Sequence, residues 1–121
     1  MESQREYTRF TIKGSVIFKP KGNLPHSINA DLFDLSFKGI SVYSPEKIEI
    51  DTEVDFELTV KLFDRPIIGR GRIRYVKAAK INNTDVFKMG IEFIGIEKEA
   101  ILSIINNLQR GIAISIRKKQ A

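Results

Sequence analysis

Apolar and polar residues alternate with a period of two along most of the chain, the pattern of strands that bury one face. Phe10, Ile12, Val16 and Phe18 share one parity, against Thr11, Lys13 and Ser15 on the other. The cleanest run sets Val54, Phe56, Leu58, Val60 and Leu62 against Asp55, Glu57, Thr59 and Lys61. Another sets Phe87, Met89, Ile91 and Phe93 against Lys88, Gly90 and Glu92. Shorter strands are predicted around Ile28 to Leu35, Ile40 to Tyr43 and Ile67 to Val76. Turn residues fall between them: Pro20 to Pro25, Ser44-Pro45, Phe63 to Pro66, and the polar hairpin loop Asn82-Asn83-Thr84-Asp85.

Strands with one apolar face each must hide those faces against one another. A closed barrel does this and removes exposed edges as well. The expected fold is therefore all-β: a six-stranded antiparallel, Greek-key-like barrel. Helical spacing enters only near the end, where Ile101, Ile104, Ile105 and Leu108 form one stripe. Glu97 and Glu99 in the first turn, Arg110 in the last and Gly111 beyond it suit the helix dipole and a C-terminal cap. This helix is expected to cross the barrel or plug one end. The alternation of Ile112, Ile114 and Ile116 leaves strand, frayed helix and partner surface all open.

Composition narrows the class. A chain of 121 residues, 42% apolar, holds one core and no second domain. With no cysteine, disulfide scaffolds and thiolate chemistry are excluded. No run approaches the length of a membrane span, and Met1 to Phe10 is too polar for a signal peptide. The expectation is a cytoplasmic domain without membrane insertion, monomer or homodimer. The net charge of +5 suits an anionic partner without choosing among phosphates, nucleic acid and membrane.

Two short motifs carry the chemistry. Arg5-Glu6-Tyr7-Thr8-Arg9 places two arginines four positions apart ahead of the first strand. Asp34-Leu35-Ser36-Phe37-Lys38-Gly39 joins two later strands. A guanidinium fork matches guanine O6 and N7, or a phosphate, and stacks on purines. The Asp34 carboxylate suits the donors on guanine's other edge, and Ser36 adds a hydroxyl. By parity Asp34 and Ser36 share one face while Phe33 and Leu35 turn to the core. Gly39 allows a tight turn or the close approach of a ligand.

In this order and spacing the chain resembles the PilZ domain family. The RxxxR arm corresponds to Arg5 and Arg9, and the (D/N)xSxxG turn to Asp34, Ser36 and Gly39. DLSFKGISV from Asp34 to Val42 looks like the family's central hairpin, and Gly90-Ile91-Glu92-Phe93 like its GxxF segment. The resemblance implies a six-stranded barrel that binds cyclic di-GMP and is not an enzyme. Arg5 and Arg9 would clamp phosphate and the guanine Hoogsteen edge, and the Asp34–Gly39 turn would take the remaining guanine donors. It also implies an arm, residues 1–9, that orders over the ligand, on a barrel domain at 10–121 that then meets a downstream protein partner.

Other features read more plainly. Arg70, Arg72 and Arg74 form a basic row that reads as a solvated strand face, with phosphate contact as the sharper alternative. Tyr75 stands near where relatives in the family place an aromatic beside guanine, but its parity with Ile73 marks it as core; Arg74 and Tyr75 are minor ligand-contact candidates. His26, the sole histidine, has no cysteine or paired carboxylate with which to bind a metal. No catalytic residue emerges: Ser36 lacks a base, and Gly69-Arg70-Gly71 is no dinucleotide loop. The ligand that the resemblance implies is cyclic di-GMP, with no further cofactor and no DNA or RNA expected. The alternatives are a single-stranded nucleic-acid barrel, disfavoured by the lack of exposed aromatics, and a PilZ-like scaffold that binds no ligand.

Overall fold

The computed structural model describes the backbone of residues 8–21, 26–61 and 63–120, and side chains as far as residue 110. Its strands are β1 (Phe10–Thr11), β2 (Gly14–Pro20), β3 (Ile28–Leu35), β4 (Gly39–Ser44), β5 (Glu53–Val60), β6 (Ile67–Ile81) and β7 (Thr84–Ile96), followed by helix α1 (Lys98–Gln120). All pairings are antiparallel, in the order β1-β3-β2-β5-β6-β7-β4, and a further β3–β4 pairing closes β2 to β7 into a six-stranded barrel. The expected barrel and C-terminal helix are both present.

The parity read in the sequence becomes the barrel wall. Val16, Phe18, Leu32, Val54, Phe56, Leu58, Ile73, Met89 and Ile91 point inward and are buried, while their polar neighbours on β2 and β5 face out. Removing this much apolar surface from water is the main force holding the strands together. Ala100, Ile101 and Ile104 bring one stripe of α1 into the same core, with Ile105 and Leu108 partly buried beside them. Asn82 and Asn83 both adopt positive φ, at 51° and 64°, so the β6–β7 hairpin closes with a two-residue loop. Thr84 and Asp85, expected in that loop, already belong to β7.

Four further expectations need correction. The first strand is not continuous: it breaks at Ile12 and Lys13, leaving β1 paired to β3 and β2 paired to β3 and β5. Helix α1 does not end before Gly111 but runs on to Gln120, because a glycine weakens a helix by only about 1 kcal/mol without stopping it. The side chains of Ile112, Ile114 and Ile116 lie outside the described residues. Phe33 and Tyr75, both assigned to the core by parity, lie outside it.

The last two have one cause. The register of β3 against β4 slips between Leu32 and Asp34, and that of β6 against β7 slips between Ile73 and Tyr75. Each slip is a β-bulge, an extra residue that resets the inward–outward alternation. On β3 the chain therefore keeps Leu32 and Leu35 buried, while Phe33 sets its ring edge-on to Tyr43 at 5.4 Å. On β6 Ile73 is fully buried but Tyr75 is only half-buried. Both bulges re-aim side chains toward the same stretch of outer wall.

Candidate functional site

The short β1 strand is what brings the two motifs together. Phe10 pairs with Leu35 and Thr11 with Asp34, so Arg9 emerges beside the β3–β4 turn. Its Nε and Nη2 donate to Asp34 Oδ1 at 3.0 and 2.7 Å, and Nη2 also donates to Ser41 Oγ at 3.1 Å. Nη1 reaches Ser36 Oγ only at 3.5 Å, so that end of the fork is loosely held. Ser41 Oγ in turn meets the Tyr75 hydroxyl at 3.0 Å. Arg5 lies outside the described residues.

The turn itself is held by its own polar groups. The Ser36 N–H donates to the Gly39 carbonyl at 2.9 Å, and the backbone N–H groups of Lys38 and Gly39 donate to Ser36 Oγ at 3.2 and 3.3 Å. Ser36 is 1% exposed, so its hydroxyl fixes the bend rather than facing solvent. The Phe93 N–H donates to the Lys38 carbonyl at 2.8 Å, tying the bend to β7. Gly39 has to be glycine for a packing reason: a Cβ there would run into the Ile91 carbonyl oxygen. Gly90 makes room in the same way, since a Cβ would enter the ring of Tyr75, which lies across it.

Asp34 is 8% exposed. Burial by itself would raise its pKa, but hydrogen bonds from Arg9 and Ser41, with the charges of Arg9 and Lys88, outweigh that and hold it below the usual carboxylate range. The carboxylate is ionised at neutral pH and acts as a fixed acceptor.

Beside these groups lies an open concavity of about 300 Å³. Arg9, Lys38 and Arg74 line it, Glu92 is its one acid, and Gly39, Ile40, Tyr75, Gly90 and Ile91 complete the lining. Glu92 is spoken for by Arg74, whose Nε donates to it at 2.6 Å while Nη1 reaches Asp51 at 3.3 Å. The Glu92 hydrogen bond and charge raise the Arg74 pKa further, so it stays cationic. Three cations against one acid, beside glycine, isoleucine and a tyrosine ring, suit an anionic ligand with an aromatic face.

Arg9, Asp34, Ser36 and Gly39 are thus together on the outer wall, joined by Arg74 and Tyr75. The basic row is not a bare cationic track, because Arg70 approaches Asp55 at 3.9 Å and Arg72 pairs with Glu53 at 3.1 Å. Sequence reasoning missed Lys38, Ser41 and Glu92, and gave Gly90 only a place in a strand motif. Ser41 had a usable signal, sharing the parity of Gly39 on the same hairpin. His26 is exposed, and its Nε2 lies 2.9 Å from Glu46 Oε1, a carboxylate partner that the sequence did not suggest. Among the described residues, no group of three or more His, Asp or Glu stands close enough to hold a metal ion, and no helix is long and apolar enough to cross a membrane.

A model of the PilZ domain matches residues 3–112 of the chain. Solved structures share the fold. The PilZ domain with c-di-GMP of YcgR from Escherichia coli superposes with a TM-score of 0.72 at 13% identity, covering 96% of this chain and 99% of that one. MrkH from K. pneumonia, solved as a c-di-GMP complex, gives 0.74 at 14% identity over 97% of this chain and 56% of MrkH. The Bacillus subtilis inhibitor of motility MotI/DgrA gives 0.67 at 17% identity over 89% and 53%. The chain spans about half the length of the last two proteins. No curated protein sequence matches it significantly.

Proposed function

The chain belongs to the PilZ domain family, and we propose that the concavity walled by Arg9, Lys38, Tyr75 and Gly90 binds cyclic di-GMP. The observation that carries this reading is the Arg9–Asp34 pair on the outer wall, set above the Ser36–Gly39 bend. Arg9 keeps its Nη1 end for guanine O6 and N7 or for a phosphate. Asp34, held ionised, is the acceptor for the N1–H and N2–H donors on guanine's other edge. Lys38 and Arg74 supply further cationic charge for the two phosphates, and the Tyr75 ring lies where a purine face can rest. Arg5 is the second clamp in this reading.

The chemical step is binding alone. Ligand contacts with Arg5 and Arg9 offset the entropy of fixing the residues before β1, and the altered face is what a partner protein reads. Two structures of the same fold, from Escherichia coli and K. pneumonia, are complexes with this dinucleotide, which supports the choice of ligand.

The test is a titration of isotopically labelled protein with cyclic di-GMP, followed by amide chemical shifts. The amides of Arg9, Ser36 to Gly39, Tyr75 and Gly90 should move together and saturate, and Arg9→Ala should abolish the effect while keeping a dispersed spectrum. Shifts confined to another face of the barrel would refute the assignment.

A further inference from the structure

Strand β6 is longer than its neighbour. β5 pairs with it only from Ile67 to Arg72, and the backbone of Asp51 and Thr52 covers Ile73. From Tyr75 to Ile81 the strand pairs with β7 on one side, and on the other no strand among the described residues meets it. The hairpin fixes which groups are left over. With a two-residue loop, the pair beside the loop, Ile81 and Thr84, exchanges hydrogen bonds, and so do alternate pairs behind it. Val76, Ala78 and Lys80 consequently turn their N–H and C=O groups to the open side. Ala78 and Lys80 are exposed there.

Such an edge is a template for an incoming strand, and its charge selects what can arrive. Lys77 lies directly opposite Lys88 in the β6–β7 register, a placement of like charges that destabilises the pair. Lys80 already pairs with Asp85 at 2.9 Å, whereas Lys77 has no ion-pair partner among the described residues, and Lys88 rests over the Phe33 ring at 4.4 Å. A second copy of this chain docked antiparallel about Lys77, or about Lys80, would set that lysine against its own counterpart. An acidic strand would instead neutralise the Lys77–Lys88 pair.

We infer that the Val76–Lys80 edge of β6 is a docking site for an extended acidic segment of a partner protein, added as a further strand. The edge begins where the candidate ligand site ends, because Arg74 and Tyr75 belong to the wall of the concavity and lead directly into it. The inference stands on backbone pairing and charge, and it holds whether or not the concavity takes a dinucleotide.

The experiment uses the full chain and a fluorescent peptide of alternating glutamate and valine, read by anisotropy and amide exchange. Saturable binding with slowed exchange at Ala78 and Lys80 is expected. Ala78→Pro removes an outward N–H while leaving the β7 ladder intact, and should weaken binding by at least about tenfold. Because proline at this position can disturb the hairpin, Lys77→Glu with Lys88→Glu provides a second test. That variant should lose the acidic peptide and gain a peptide of alternating lysine and valine. The inference is overturned if no saturable binding occurs, if exchange slows elsewhere, if Ala78→Pro binds like the wild type while still folded, or if sedimentation shows the edge already taken by a second copy.

Discussion

Replacing Asp34 with alanine should damage the fold and the site together, by an amount the geometry sets. The carboxylate accepts from Nε and Nη2 of Arg9, and the paired side chains are 23% and 11% exposed. Exposed ion pairs contribute about 0.2–1 kcal/mol, while breaking a fully buried pair costs roughly 3–5 kcal/mol. This pair lies between those limits, so Asp34→Ala should cost about 2 kcal/mol, or a fall in Tm of about 8 °C. The effect must also depend on pH with a definite sign. The folded-state pKa of Asp34 is lowered, so its stabilisation is fully present above the unfolded value of about 3.9 and is lost as the pH falls through the folded value. Urea unfolding of both proteins from pH 7 to pH 3 measures the gap. A constant gap above about pH 5 that narrows below about pH 4 is expected. A variant as stable as the wild type at pH 7, or a gap indifferent to acid, would refute the reasoning.

Other perturbations separate the bend, the lining of the concavity and the helix. Gly39→Ala sets a Cβ against the Ile91 carbonyl and should cost about 1–3 kcal/mol, read by thermal melting. Tyr75→Phe keeps the ring on Gly90 but removes the hydroxyl that meets Ser41, a loss of about 1 kcal/mol visible as a small fall in the urea midpoint. Ile104→Ala empties a fully buried position on α1 and should cost about 2–5 kcal/mol, which would show that the helix is part of the core.

The barrel was legible because its strands bury one face each, and the alternation through Val54 to Val60 or Met89 to Ile91 survives folding unchanged. The candidate site was legible in its motifs, since Arg9, Asp34, Ser36 and Gly39 meet as their order suggested. What the sequence hid were the register slips, among them the bulges on β3 and β6 beside the candidate site. Nothing in Leu32-Phe33-Asp34 or Ile73-Arg74-Tyr75 announces an extra residue, because a bulge depends on the partner strand's register and not on local propensity. Parity counted across a bulge reverses, which is why Phe33 and Tyr75 were assigned inward. The run of α1 through Gly111 was hidden for a related reason, since a weak local stop signal was overridden.

The central claim is that Arg9 and the Asp34–Gly39 bend form a receptor for a cyclic guanine dinucleotide. Isothermal calorimetry of the whole chain with cyclic di-GMP, with GMP and a short single-stranded oligonucleotide in parallel, tests it most directly. The account predicts saturable heat of integral stoichiometry for cyclic di-GMP alone, lost in Arg9→Ala and Asp34→Ala. Equal binding of the oligonucleotide, or no binding of cyclic di-GMP by the folded wild type, would contradict it.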